Sequence, residues 1–280
     1  MNGAVTIADS LMEIQGFTNT TTALGILAVQ SEVTIRDSLL EADYSRAWFG
    51  MSAEYSVLDV DRCRVVSRNA NVDSYGAFVT NSTLRLSNTV IDAGTVSGED
   101  AIGSAIIIAG GEVVVWNNTL HGGRASGSAT ESMFHGIILG GSTRHRIENN
   151  IILVGSGDKR YGVKQVTSAS TPAIFNNNLI FFSGLSTEEE AEYRYVPDEQ
   201  LFITAAEIEG FIRSAGGDAA ENLVGTNPNL DPDYSFGDGS PEGVKAGGRN
   251  LSSEWPHATD IRGMSRPTEG AWSIGAYEAD

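Results

Sequence analysis

Val113-Val-Val-Trp-Asn-Asn-Thr-Leu120 reads as an apolar strand, a pair of amides and the start of a second apolar strand. The template is apolar, any residue, Asp or Asn, small polar, aliphatic. It recurs at Ile7-Ala-Asp-Ser-Leu11, Ile35-Arg-Asp-Ser-Leu39, Leu86-Ser-Asn-Thr-Val90, Ile147-Glu-Asn-Asn-Ile151 and Phe175-Asn-Asn-Asn-Leu179, with a degenerate copy at Val60-Asp-Arg-Cys-Arg64. With Trp116 as the lead of the fifth copy, the leads are 28, 25, 26, 30, 31 and 28 residues apart. Near-equal spacing of this kind marks stacked units, none of which can bury its apolar face alone.

A second strand opening with Gly or Ala precedes most copies, at Gly25, Ala47, Gly76, Ala105, Gly136 and Gly162. The connections are too short for a helix, so each unit is two or three strands with tight corners, and alternation sends every second side chain inward. None of the seven prolines precedes Pro172. That fits strands bonded on both sides, where a residue without an N–H is excluded. Asp9, Asp37, Asn88, Asn118, Asn149 and Asn177 are expected at one corner as turn chemistry, not catalysis. The expected fold is all-β, a single-stranded right-handed parallel β-helix of about seven to eight rungs.

The repeat stops after Phe182. Ser183–Glu242 carries 14 acidic and two basic residues. Thr204-Ala-Ala-Glu207 is a capping box opening a short amphipathic helix near 204–215 that Gly216-Gly217 ends. Residues 1–182 are thus read as the rungs. Residues 183–280 are read as the last rung, helix and irregular C-terminal cap of the same domain. Sequence upstream of Asn2 is expected to shield the first rung.

The formal charge of −18 argues against nucleic acid as a partner, since phosphate binding needs clustered Lys and Arg. No apolar run approaches the roughly 18 residues of a membrane span. The single cysteine, Cys63, stands in the small polar slot and reads as buried. A monomer is expected.

These repeats resemble the right-handed parallel β-helix, or pectate-lyase-like, superfamily. The tail is similar to the C-terminal part of bacterial exported β-helix proteins often called choice-of-anchor proteins. The residues carrying that likeness are Asn222 to Pro228, Ser240-Pro241, Gly247 or Gly248, Asp260, Gly263 and Arg266, and Ile274-Gly-Ala-Tyr-Glu278. The resemblance implies a secreted or cell-surface protein, but the superfamily spans polysaccharide lyases, glycoside hydrolases, esterases and adhesin shafts, so fold does not choose the activity. Lyases of this fold hold calcium on acidic residues of parallel strands and use an Arg or Lys base. Hydrolases need two or three carboxylates roughly 5 to 10 Å apart. No column of carboxylates repeats from unit to unit here.

The leading expectation is therefore a non-catalytic domain that binds glycan or another extracellular partner through the face bearing the insertions Met12–Leu24, Glu41–Arg46, Ser67–Tyr75, Asp92–Gly103, His121–His135 and Gly155–Tyr161. On that face Tyr75, Phe134, His135, Lys159, Arg160 and Tyr161 form a candidate stacking and hydrogen-bonding strip, or rings that only cover the core. The alternative is a polysaccharide lyase or glycoside hydrolase using Asp92, Asp100, His121 and Arg124. Asp92, Glu99 and Asp100 also make a candidate Ca²⁺ set, a hard cation taking oxygen ligands, or a merely solvated loop. A structural shaft is the third expectation. His145 is read as inward, in the slot of Val114 and Ala173.

Overall fold

The computed structural model describes residues 3–14, 22–43, 45–126, 131–141, 145–184, 186–255 and 258–279. The tips of the first and fifth insertions, 15–21 and 127–130, lie outside the described residues. Each repeat forms one coil of a parallel β-solenoid, of the right-handed kind expected of parallel crossovers. The first sheet stacks eight strands, from Ala4–Ala8 to Asp218–Ala220, and the second stacks eight, from Leu11–Ile14 to Leu223–Val224. Longer strands such as Asn69–Thr80, Met133–Gly140 and Gly157–Gln165 build the third. Six of the eight coils have a neighbour on both sides, slightly fewer full turns than the repeat predicts. In the fourth and fifth coils the third-sheet strand is interrupted, into Thr95–Val96 with Ile102–Ala109 and Arg124–Ala125 with Met133–Gly140. The insertions leave the solenoid at these breaks.

One buried file runs the length of the first sheet: Ile35, Val60, Leu86, Val115, Ile147 and Phe175, paired in register. Val115 holds the position that the repeat assigns to Trp116. The indole faces outward instead, 5.3 Å from the Trp255 ring and beneath Arg146. Inside, neighbouring strands are about 4.8 Å away, which leaves room for a valine between Leu86 and Ile147 but not an indole. The same one-residue shift puts His145 opposite Val113 rather than Val114, still inward and buried.

The shift also resolves the amide pair into two separate files. Asp9, Asp37, Arg62, Asn88, Asn117, Asn149, Asn177 and Glu221 all have φ between 46 and 56°, the left-handed corner that Asn and Asp tolerate best. Asn118 is not among them. It stands one residue on, where Asn118, Asn150, Asn178 and Asn222 form a buried ladder: each Oδ1 accepts from the backbone N–H and Nδ2 of the asparagine in the preceding coil, or from Thr89 N–H at the first step. Toward the other end Thr89, Cys63, Ser38 and Ser10 continue it. The glycines expected to open the third-sheet strands lie inside them, Gly76 within Asn69–Thr80 and Gly136 within Met133–Gly140. Their role is steric: a Cβ at Gly136 would lie 2.2 Å from Ile152 Cγ2, and one at Gly76 2.0 Å from Ile91 Cγ2.

The acidic stretch after Phe182 is a further strand, Ser186–Tyr195, which continues the third sheet. Helix α1 (Ala205–Ser214) follows, with the Thr204–Glu207 capping box formed, and buries Ile208 and Ile212 against Phe175, Tyr193 and Ala219 to close the C-terminal end of the core. Its Glu209 accepts from both the N–H and Nδ2 of Asn222 and so terminates the ladder. A four-residue helix, α2 (Glu242–Lys245), was not foreseen.

From Gly225 to residue 279 the chain does not sit on the end of the solenoid. It runs back along the flank as a strap docked on the left-handed corner. Asn177 donates to the Gly247 carbonyl, Asn149 exchanges two bonds with the Arg249 backbone, and Arg266 reaches Asn88. The tail motif is what locks it: Arg266 is buried against Glu278 and the carbonyls of Ser273 and Gly275, while Asp260 accepts from the N–H of Arg262, Met264 and Glu278.

Candidate functional site

Asp92, His121, Leu153 and Phe181 occupy one register position on four successive strands of the second sheet and form the floor of a cleft. Asn227, Pro228, Leu230, Asp231, Pro232 and Tyr234 form one wall, and Arg124 and Ser183 the opposite rim. The volume is about 400 Å³. At about 4.8 Å per strand the floor is about 15 Å long.

Asp92 is bonded at both oxygens. Its Oδ1 lies 2.9 Å from His121 Nδ1 and accepts from the Gly94 N–H, and its Oδ2 accepts from the Tyr234 hydroxyl at 2.7 Å. Burial pushes this carboxyl up, but attraction to His121 and the three hydrogen bonds outweigh it and hold the group below the usual carboxylate range. The aspartate is thus an anion that fixes the His121 ring, which is itself 5% exposed. Burial and the neighbouring Asp92 raise the Tyr234 phenol, so it stays a neutral donor. The Arg124 guanidinium is exposed and makes no side-chain hydrogen bond among the described residues.

Three of the four residues named for catalysis therefore converge: Asp92, His121 and Arg124. Asp100 and Glu99 do not. Both are exposed in the insertion beyond the cleft, while the oxygens of Asp92 point to His121, Tyr234 and Gly94, so the proposed calcium set is not assembled. Among the described residues no group of three His, Cys, Asp or Glu side chains is placed to hold a metal.

The aromatic strip is not a surface. Phe134 and Tyr161 are 0% exposed, His135 1% and Arg160 3%. Phe134 fills a side core with Ala70, Val96 and Val154, and His135 stacks on Tyr161 at 5.5 Å. Arg160 pairs with Glu190, and the Tyr161 hydroxyl lies between Glu189 and Arg194. Tyr75 is half-buried against Phe49 and Phe78, and Lys159 is partnered too. Alternation cannot separate these positions from a solvent face, because insertion residues such as Ala70 and Val96 cover Phe134, and Glu189, Glu190 and Arg194 of the next strand cover Arg160 and Tyr161.

Tyr234 and Asp231 escaped the sequence reading. Tyr234 meets Asp92 across 142 residues, from a turn-rich stretch without periodicity, and nothing in the sequence announces that approach. Comparison with protein-family models, with curated proteins and with solved structures finds no match to this chain.

Proposed function

We propose that the chain is the β-helix domain of an exported or surface-anchored bacterial protein and binds glycan, without turning it over, in the cleft between the second sheet and the 227–234 wall. The observation that carries this reading is the meeting of an exposed cation, Arg124, a fixed Asp92–His121 pair and a ring, Phe181, in one groove on a rigid floor. Saccharides are held by such a mixture, polar groups bonding hydroxyls and a ring packing on C–H faces. The export assignment rests on the likeness of the tail to choice-of-anchor proteins and of the repeats to the pectate-lyase-like superfamily. Saturation of Asp92 argues against its use as an acid.

A second reading, a polysaccharide lyase or glycoside hydrolase, draws on the same pair: an aspartate orienting a histidine whose other nitrogen is free to take a proton is a usual general base. Incubation with a panel of acidic and neutral polysaccharides, with and without calcium, separates the two. Binding without product supports the first reading. Product formation lost on His121→Gln overturns it in favour of the second, and a protein that neither binds nor cleaves any glycan overturns both.

A further inference from the structure

The cleft is closed at one end and open at the other. At the Asp92 end the wall reaches the floor: the Tyr234 hydroxyl bonds Asp92 and its ring lies 6.1 Å from that of His121. Behind it the Asp233 carbonyl is fastened by Arg64 and by the Tyr277 hydroxyl, and no residue of the next coil lines the cleft. Toward the C-terminal end, the lining residues Ser183 and Asn227 are both exposed. Of the charged lining groups, Asp92 faces His121, while exposed Asp231 and Arg124 are opposite in sign, so the groove has no excess positive charge. Around it the whole chain carries −18, which repels polyanions.

Resting on the glycan reading above, the geometry points to a more specific ligand: the free terminus of an uncharged saccharide chain, its last ring against Asp92, His121 and Tyr234 and the rest leaving past Phe181. A continuous chain cannot lie through the cleft without displacing Tyr234, and a uronate or sulfated chain gains no cation beyond Arg124.

Tyr234 has φ of 69°, a conformation that costs a tyrosine and suits glycine, so Tyr234→Gly opens the closed end while keeping the backbone geometry. The experiment measures binding of neutral linear gluco-, xylo- and manno-oligosaccharides of two to six rings, their parent polymers, cyclic gluco-oligosaccharides, and uronate and sulfated counterparts. Intact wild type and Tyr234→Gly are compared, with thermal unfolding as the check on folding. Wild type is expected to bind free-ended neutral chains about tenfold or more tighter than cyclic ones, with affinity levelling off after about three or four rings. In Tyr234→Gly the preference for free ends falls to within about twofold. If Tyr234→Gly fails to fold, the cyclic-against-linear comparison in wild type alone decides. Polymer binding that grows with the number of internal rings, equal binding of cyclic chains, or preference for uronates overturns the inference and leaves the glycan reading standing. Failure of every saccharide to bind overturns both.

Discussion

His135 has neither ring nitrogen in a hydrogen bond of good geometry, and burial, aided by Lys164 and Arg194, pushes its pKa down to about 3. His145, in the core file beside Val113, is pushed to about 4 by burial alone. In the unfolded chain both titrate near 6.5, so between that pH and their folded values the unfolded state binds more protons. Stability from these residues is complete above about pH 6.5 and falls by about 1.4 kcal/mol per pH unit for each histidine as acid is added. Asp92 works the same way lower down: its folded pKa is depressed, so its contribution holds above the ordinary carboxylate range and disappears as pH falls through the folded value. His135→Phe preserves the ring against Tyr161 and removes a titrating group. Its thermal midpoint should therefore decline less steeply than that of wild type between pH 6.5 and 4, and an unchanged slope would show that His135 already protonates in the fold. Cys63 lends itself to a simpler test. Burial raises its thiol to about 12, so at pH 8 a thiol reagent should modify it only after denaturation, and rapid labelling of the native protein would contradict its position in the ladder.

A ladder of four asparagines illustrates how much of an element a repeat can specify. Period, strand identity and corner were legible, because Leu86, Ile147 and Phe175 obey the alternation without exception. The register of the fifth coil was not: Asn117-Asn118 fits the Asp or Asn slot in either frame, Leu120 favours the wrong frame over Thr119 in the aliphatic slot, and the size of the Trp116 ring sets the observed one. Once the frame is set, the two amides have unequal roles. Asn150 accepts from Asn118 N–H and Nδ2, and donates to the carbonyls of Val115 and Glu148 and to Asn178 Oδ1. Asn150→Ala leaves several of these groups buried without partners at about 1–3 kcal/mol each, so a loss of about 3 kcal/mol or more is expected. Asn117→Gly, at a corner with φ of 54°, should cost less than about 1 kcal/mol. Urea or thermal unfolding of the two variants measures the contrast, and equal losses would refute the division of roles.

On the scale of the molecule, coils account for the fold and the strap accounts for the site. Every sequence signal used to find the solenoid is local, with a period near 28 residues, whereas the cleft exists only because residues 227–234 return across the second sheet. The insertions mark Asp92, His121 and Arg124 in the sequence, but nothing marks the wall opposite them, since irregular chain carries no periodic trace of where it docks. The strap is tied by ion pairs from Glu254 to Arg146 and from Arg249 to Glu148, and by Val244, Ile274 and Tyr277 in apolar clusters with the second sheet. Arg266 is its most concentrated tie: its side chain is 0% exposed, with Glu278, Asn88 and two backbone carbonyls as partners. Arg266→Ala leaves Glu278 and those carbonyls without their cation, a change that costs about 3–5 kcal/mol at a buried pair. Local opening of the strap then becomes far cheaper than opening of the coils, which keep their own ladders and the α1 cap. Limited proteolysis of this variant should cut first between residues 226 and 279 while its far-ultraviolet circular dichroism stays that of the β-solenoid. Saccharide binding should fall with the integrity of the strap, because the wall and Tyr234 leave together. Cleavage starting instead within the coils would mean that the strap holds the solenoid itself together, and not only the site built on its flank.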